Sequence, residues 1–344
     1  MSENQGVSIA RVPGGSTGRV WATIFLVLGV LAGVAAGQPP VGSGVQAVAR
    51  VGFTVADLDT SVRFFEEVLT FEVIARQEKD ADPFLADCGL EDARLRVARL
   101  RLGDELLELT QFVSPVGRPV PADSRSNDRW FQHIAIIVSD MDRAHARIHE
   151  HMVRHASKDP QRLPDWNRNA AGIKAFYFRD PDGHFLEILQ FPPDKGDPKW
   201  HARSDRLFLG IDHTAIVVAD TDRSLAFYRD QLGLRVAGTS ENYGPEQEAL
   251  NNVPGAHLRI TTLRAPKGPG IELLEYLRPR DGRPYPRDAR PNDQLHWQTT
   301  LIVSDPNERV KALGRNKEAV RAPVKEARFL IRDPDGHAMV VSGN

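Results

Sequence analysis

The sequence is poor in cysteine and carries almost no net charge. Its 344 residues include one cysteine, Cys88, so neither an intrachain disulfide nor a zinc-binding thiolate cluster can form. The 44 basic and 46 acidic residues nearly cancel, leaving a net charge of -2, which argues against binding to nucleic acid or to an anionic membrane surface. A small molecule is therefore the expected partner.

Several common functional signatures are also missing. The sequence contains neither a phosphate-binding glycine loop nor the Gly-x-Ser-x-Gly turn of serine hydrolases, so phosphoryl transfer and serine hydrolysis have no support. It has no coiled-coil pattern and no charged tail. No protein partner is indicated.

One long apolar run is present, near the N-terminus. Residues 20–36 carry no charge, follow Arg11 and Arg19, and end in small residues, which is typical of a secretory signal or a membrane anchor. We therefore expect residues 1–45 to form a signal peptide or anchor with a linker, and the protein to be exported (periplasmic or extracellular) or membrane-anchored. The alternative is a buried core helix, which would imply a cytoplasmic protein.

The rest of the chain is built from repeats. Thr54–Val73 aligns without gaps with Val217–Val236. A second pair of segments, Gly117–Asp128 and Gly282–Asp293, shares the pattern GRPxPxDxRxND. The first pair marks the units A and A′, and the second pair leads into the units B and B′. The chain therefore contains four units in the order A-B-A′-B′.

Each unit reads as a βαβββ module. An apolar strand ends at an aspartate such as Asp57, which can cap the helix that follows. That helix carries apolar residues at helical spacing, for example Val62 and Phe65. The motif RDPDGH then predicts a hairpin turn at Arg179–His184 and again at Arg332–His337.

These residues resemble the vicinal oxygen chelate superfamily, which includes glyoxalase-type lyases, methylmalonyl-CoA epimerases, extradiol dioxygenases and bleomycin-resistance proteins. In that family two βαβββ units curl into one incomplete barrel around a metal. The resemblance implies an α+β fold in which four modules pair into two incomplete mixed β-barrels. The expected domains are residues 46–197, with modules 46–113 and 129–193, and residues 206–344, with modules 206–278 and 294–344.

The resemblance also implies where metal ligands would lie. In the family, they come from the first strand of each unit and from a glutamate in its last strand. The first-strand position, seven residues before the VAD or VSD aspartate, is Arg50, His133, His213 and Gln298 in the four units. The last-strand position is Glu108, Glu187, Glu275 and Val340. Such ligands suit one divalent metal ion, and zinc, iron, manganese, nickel and cobalt are not distinguishable.

Pairing consecutive units gives two candidate metal sites. The preferred site, in units three and four, lacks a ligand at Val340 and consists of His213, Glu275 and Gln298. The second possible site, in units one and two, consists of Glu108, His133 and Glu187. There Arg50 has no lone pair for a metal. It either pairs with a glutamate and fills the space of the metal, or holds an anionic group of a substrate beside it.

Other polar residues are candidates for catalysis or substrate binding. His296 lies on the same strand face as Gln298, so it is a candidate base or an alternative ligand; its repeat partner, Phe131, suggests a pocket wall instead. The loop of residues 240–255 is a candidate lid, with Tyr243, Asn251 and Asn252 as its best contact residues.

Two arginine-containing features are open to a structural interpretation. Arg259 is a candidate for anion binding, but its repeat partner is Arg96, which favours a shared salt bridge. The motif GRPxPxDxRxND is retained in both halves, which fits a linker whose Arg283, Asp288 and Arg290 tie the barrel together.

We therefore expect a metal-dependent enzyme acting on a small oxygenated substrate, with lyase or isomerase chemistry through a metal-bound enolate. Two alternatives stay open. An extradiol-type dioxygenase would need iron, usually held by two histidines and one carboxylate. A non-catalytic binding protein of the bleomycin-resistance type would need no metal.

Overall fold

The computed structural model describes residues 44–81, 85, 88–202, 205–313, 320–324 and 328–343. The apolar run at residues 20–36 lies outside the described residues, so the signal or anchor segment and the localisation stay predictions. Within the described residues, no helix is both long enough and apolar enough to cross a membrane.

The first half of the chain contains two modules. Module one consists of β1 (Val45–Val55), α1 (Leu58–Glu67), β2 (Glu72–Asp80), β3 (Arg94–Leu102) and β4 (Glu105–Ser114). Module two consists of β5 (Gln132–Val138), α2 (Met141–Glu150), β6 (Gln161–Arg162), β7 (Lys174–Arg179) and β8 (Phe185–Gln190). A short 3-10 helix, Pro198–His201, follows.

The second half repeats the arrangement. Module three consists of β9 (Phe208–Val218), α3 (Thr221–Leu225) with a π-helical continuation (Ala226–Gln231), β10 (Arg235–Tyr243), α4 (Pro245–Asn251), β11 (His257–Arg264) and β12 (Gly270–Arg278). Module four consists of β13 (Trp297–Val303), α5 (Pro306–Leu313), β14 (Val320–Val324), β15 (Arg328–Arg332) and β16 (Ala338–Ser342). The βαβββ order is that predicted from the repeats.

The first helix of each module begins at the landmark aspartate. The side chains of Asp57, Asp140 and Asp220 accept hydrogen bonds from backbone N–H groups three residues later, at 2.7–2.9 Å. Asp305 does the same for Glu308 at 2.9 Å. A carboxylate at this position accepts a hydrogen bond from one of the free N–H groups of the first turn. This explains why a helix begins directly after the aspartate in each module.

The strands form two eight-stranded mixed sheets, each a curled half-barrel. Sheet I joins module one to module four through the antiparallel pair β1 and β13, in the order β14-β15-β16-β13-β1-β4-β3-β2. Sheet II joins module two to module three through β5 and β9, in the order β10-β11-β12-β9-β5-β8-β7-β6. The expectation that consecutive modules share a barrel is therefore wrong.

The repeat pattern explains this difference. An A-type module needs a B-type partner, and the first A module finds it in the B′ module of the other half. Both contacts would use the same strand edges, so the sequence pattern does not distinguish them. The exchange resembles domain swapping within one chain.

Consecutive modules still share a hydrophobic core. One cluster combines Phe53 and Phe65 of module one with Ile134 and Phe176 of module two. A second cluster combines residues of modules three and four in the same way. Helices α1 and α2 therefore pack in the shared core of the first half, while each sheet is completed by the other half.

The two GRPxPxDxRxND linkers contact each other reciprocally, and we call them the clasp (residues 117–128 and 282–293). Arg118 forms ion pairs with Asp288 at 2.8 Å and with Asp293 at 2.7 Å. The equivalent Arg283 pairs with Asp123 at 2.8 Å and with Asp128 at 2.7 Å. The predicted structural role of this motif is confirmed for Arg283 and Asp288. The backbone N–H of Arg290 also donates to Asp293, at 2.9 Å.

Candidate metal centre

Four acidic and imidazole side chains converge on the floor of sheet II, from strands β5, β8, β9 and β12. Across the β5–β9 pair, His133 lies opposite Ala215 and Ala135 lies opposite His213, so the two histidines are on the same face of the sheet. The neighbouring parallel strands place one glutamate beside each of these alanines. They are Glu187, opposite Ala135, and Glu272, opposite Ala215.

The ligand atoms of these side chains lie close together. Glu187 Oε2 is 3.1 Å from His133 Nε2 and 3.7 Å from His213 Nε2. The ligand atoms of these three buried residues all lie within 4.8 Å of one another. Glu272 Oε2 approaches from the other side, 3.3 Å from His213 Nε2. Two imidazoles and one carboxylate thus form a compact cluster, and a second carboxylate, that of Glu272, contacts it through His213.

A buried aspartate fixes the orientation of His213. Asp212 Oδ2 is 2.9 Å from His213 Nδ1, so Nε2 is the ring nitrogen that faces the two glutamates. Asp212 also accepts hydrogen bonds from Arg264 at 2.7 Å and from Trp200 Nε1 at 3.1 Å. Burial alone would raise the pKa of Asp212, but His213 and Arg264 hold it well below its usual range.

The pKa of His213 reflects the negative charge that surrounds it. Burial lowers the pKa of His213, but the carboxylates of Glu272 and Asp212 outweigh this effect and raise the pKa to about 9. The site therefore attracts positive charge to the position of Nε2. A divalent cation bound there would take the place of this proton.

The donor set fits a divalent metal ion. Two neutral imidazoles and two carboxylates carry a formal charge that a divalent ion balances, and nitrogen with carboxylate oxygen suits several transition metals. Thr262 Oγ1 donates to Glu272 Oε1 at 2.7 Å, which directs Oε2 towards His213. His133 Nδ1 is buried, and the structure describes no hydrogen-bond partner for it.

A cavity of about 460 Å³ opens above this floor. Much of its polar lining is neutral, and includes Tyr177, Asn169, Ser240, Asn242 and Gln247. The amides form a chain in which Asn167 donates to Asn242 at 2.8 Å, Asn242 donates to Gln247 at 3.0 Å, and Gln247 donates to Asn251. The cavity therefore presents hydrogen-bonding groups to a small polar molecule.

The Glyoxalase/Bleomycin resistance protein/Dioxygenase superfamily model matches residues 47–188 and 210–341. The chain belongs to this superfamily. Its similarity to a 2-epi-5-epi-valiolone epimerase from an Actinomyces species is 34% identity over 154 residues, 43% of this chain and 81% of that protein.

Two solved structures share the fold. Glyoxalase I from Zea mays is similar with a TM-score of 0.57 at 17% identity, covering 86% of this chain and 91% of that one. A putative dioxygenase from Bacillus subtilis gives a TM-score of 0.55 at 12% identity, covering 88% and 86%. At these identities the likeness concerns the fold alone.

The two ligand sets expected for this superfamily member are not assembled as predicted. Gln298 lies in sheet I, away from His213 in sheet II. Glu108 also lies in sheet I, so it does not join His133 and Glu187. The cause is the exchange of modules: the intact ligand positions of modules two and three meet in one barrel, and both departures, Arg50 and Val340, fall in the other.

Glu275 is not a ligand in this arrangement, and Glu272 is the residue that the sequence analysis missed. On the neighbouring strand, Thr262 pairs with Glu272 just as Arg99 pairs with Glu108. The segment LLE occurs in both β4 and β12, and matching the two copies aligned Glu108 with Glu275. Between these paired residues, the β11–β12 hairpin is one residue longer than the β3–β4 hairpin, so the structural equivalent of Glu108 is Glu272. An alignment started from the preceding strand with a one-residue insertion would have found Glu272.

In sheet I an ion pair joins two of the four ligand positions, Arg50 and Glu108. Arg50 Nε lies 3.2 Å from Glu108 Oε2, and Arg99 donates to the same oxygen at 3.0 Å. The fourth position is the apolar Val340. Of the two interpretations of Arg50, the structure supports the one in which it pairs with a glutamate. Arg50 belongs to sheet I and does not line the sheet II cavity, so it is not placed to hold a substrate there.

The lid candidates have mainly structural contacts. Tyr243 is exposed and packs on Trp166, with 4.3 Å between ring centroids. Asn252 has a φ of 52° and ends α4 in the left-handed conformation. Asn251 is buried and accepts a hydrogen bond from Gln247, which lines the cavity.

Arg259 and His296 also lie away from the metal centre. Arg259 pairs with Asp222 at 2.9 Å, as Arg96 pairs with Asp59 at 2.9 Å, so the shared salt bridge is confirmed. His296 is buried in sheet I and lines a separate cavity there. It is therefore not the base of the sheet II site.

Proposed function

We propose that this chain is a metal-dependent isomerase of the epimerase type, acting on a small hydroxylated carbonyl compound in the sheet II cavity. The observation that supports the proposal most directly is the meeting of His133, Glu187, His213 and Glu272 on the cavity floor. The relative named as an epimerase favours isomerase over lyase chemistry.

Epimerisation beside a carbonyl needs removal of a proton from carbon and its return on the opposite face. A bound divalent metal supplies positive charge that stabilises the negative oxygen formed on the way. His133, His213 and Glu187 are the residues placed to hold it, because their ligand atoms lie within 4.8 Å of one another.

Glu272 is the residue best placed to move the proton. One of its oxygens is held by Thr262, while the other faces the centre of the site. Glu187 occupies the equivalent position in the other module, so the two carboxylates approach from opposite halves of the barrel. With Glu187 holding the metal, Glu272 is the carboxylate that stays free to act as the general base.

The cavity lining indicates the class of substrate. Amides and hydroxyls at Asn169, Ser240, Asn242 and Gln247 can donate to and accept from hydroxyl groups. A cavity of about 460 Å³ accommodates a small ligand of this kind. We therefore favour a hydroxylated ketone or aldehyde as the substrate.

Metal analysis of protein purified without chelator or affinity metal tests the site. We expect one divalent ion per chain, lost in His133→Ala and in His213→Ala but kept in Gln298→Ala, which changes the equivalent position of sheet I. Absence of metal from the parent protein, or loss in Gln298→Ala alone, would contradict the assignment.

Exchange of the substrate's α-hydrogen in deuterated water tests the chemistry. With a panel of hydroxylated ketones, Glu272→Gln should lower the exchange rate by about 10²-fold or more while the metal content falls less than in His213→Ala. Oxygen consumption with catechols would instead indicate a dioxygenase. Ligand binding that survives metal removal, without exchange, would indicate a binding protein.

A further inference from the structure

Sheet I contains a second cavity, of about 60 Å³, at the position that corresponds to the metal centre of sheet II. Because a single water needs roughly 10–15 Å³ of such space, the cavity has room for several waters or one small ligand. Its polar lining comes from modules one and four and includes Thr54, Lys79, Glu108, His296, Gln298 and Arg328.

The charges around this cavity oppose a cation. Glu108 is the one carboxylate among the described lining residues, and its Oε2 already contacts Arg50 at 3.2 Å and Arg99 at 3.0 Å. Lys79 and Arg328 add two more cationic groups to the lining. Positive charge is therefore in excess, and an anion is the ligand that this excess favours.

His296 is a buried polar side chain whose hydrogen-bonding capacity is not used by the described residues. It is 3% exposed, and neither ring nitrogen makes a hydrogen bond of good geometry with a described residue, although the amide of Gln298 lies near enough to raise the pKa of the ring. A buried polar group left without a hydrogen bond destabilises the fold, so a ligand that supplies one is favoured. The repeat partner Phe131 shows that the same position accepts a ring without nitrogen.

The imidazole of His296 is suited to donate one hydrogen bond. Burial, assisted by the nearby Arg332, lowers the pKa of His296 to about 3, so the ring is neutral and carries one N–H. A ligand oxygen in the cavity would accept from this N–H. The surrounding cations would balance the charge of that ligand.

We propose that the sheet I cavity is a metal-free binding site for a small carboxylate, of the size of acetate or pyruvate, held by His296 and by the charges of Lys79 and Arg328. The site is independent of the function proposed for sheet II, because it shares none of its residues. The ion pairs at Glu108 that exclude a metal from this barrel create the positive surroundings that an anion needs.

Calorimetric titration of the full chain at low ionic strength tests the proposal, with acetate, pyruvate and inorganic phosphate as probes and chloride as the salt control. We expect acetate or pyruvate to bind, and the affinity to fall by about tenfold or more in His296→Phe and in Arg328→Gln. Arg259→Gln removes the same charge from the surface of sheet II and should leave the affinity unchanged.

The imidazole resonances of His296 provide a second readout in the parent protein. They should shift on addition of the carboxylate, while the metal content of sheet II stays the same in all three variants. No binding of either carboxylate, affinity unchanged in both cavity variants, or tighter binding of phosphate than of both carboxylates would overturn the proposal.

Discussion

Two glutamates only three residues apart on β12 have unrelated roles. Side chains alternate between the faces of a strand, so Glu272 and Glu275 point in opposite directions. Glu272 faces His213, whereas Glu275 accepts a hydrogen bond from the backbone N–H of Thr221 at 3.1 Å. Gln111 of module one serves its helix α1 in the same way, through Leu58 at 3.2 Å.

The hydroxyl of Thr262 should matter for the metal centre although it is not a ligand. We expect Thr262→Val to weaken metal affinity or turnover by about 10- to 100-fold, because Glu272 loses the hydrogen bond that orients it. Competition with a chromophoric chelator measures the affinity.

The neighbouring Thr261 offers a matched control. Its hydroxyl is buried, with no described hydrogen-bond partner, and it lies on the other face of β11. Thr261→Val should leave the metal affinity unchanged. An equal loss in both variants would mean that the effect comes from the strand and not from the Thr262 hydroxyl.

At the scale of elements, the clasp connects the two sheets. Gly117 and Gly282 are required by the close approach of the linkers, since a Cβ at these positions would lie 2.0 Å from Asn292 O and 1.9 Å from Asn127 O. Arg118 and Arg283 then each reach two aspartates of the opposite linker. The two linkers stabilise the crossing of the chain from one sheet to the other.

Breaking one half of the clasp should destabilise the fold. Arg283→Gln removes the 2.7 Å ion pair of the fully buried Asp128 and leaves it only the longer ion pair with Arg125, at 3.9 Å, so we expect the free energy of unfolding to fall by about 1–3 kcal/mol. Urea denaturation measures the change. Arg118→Gln should have a similar effect, because Arg118 makes the equivalent contacts with Asp293.

A surface arginine provides the comparison for the clasp. Arg76 pairs with Asp59 at 2.7 Å, but both side chains are largely exposed, and such pairs contribute little. Arg76→Gln should therefore barely shift the urea midpoint. A shift as large as that of Arg283→Gln would argue that buried charge is not the reason for the clasp's effect.

At the scale of the whole molecule, the exchange of modules decides where a metal can bind. Sheet II collects two histidines and two glutamates, and sheet I collects Arg50, Glu108, Gln298 and Val340. One barrel is thereby left with a complete ligand set, and the other is free for a different ligand.

Paired cysteines in a Cys88→Ser background test this exchange. Ala47 lies opposite Ile302 across β1 and β13, at the separation that antiparallel partners have, so Ala47→Cys with Ile302→Cys should form a disulfide. Mass spectrometry under non-reducing conditions detects the bond within one chain.

The residue equivalent to Ile302 in module two serves as the control. Ile137 lies opposite Gly210 in sheet II, so Ala47→Cys with Ile137→Cys should stay reduced. A disulfide in that pair, and none in the first, would show that consecutive modules share a barrel.

The sequence by itself determined the modules, their element order and most of the ligand positions. Strand alternation, capping aspartates and repeated turns are local properties, so they can be read from neighbouring residues. The family resemblance implied His133, Glu187 and His213 as candidate ligands, and the repeated linker motif predicted the structural role of Arg283. Glu272 was not, because the length of one hairpin connection shifts the register by a residue.

Only the tertiary structure decided which modules form one barrel. The A and A′ modules offer nearly the same strand edge, and so do B and B′, so local pattern alone does not separate the two ways of pairing them. The choice depends on contacts between residues far apart in the chain, such as those of the clasp and of the β1–β13 pair. That choice placed His213 with His133 instead of Gln298, and so turned two incomplete ligand sets into one complete one.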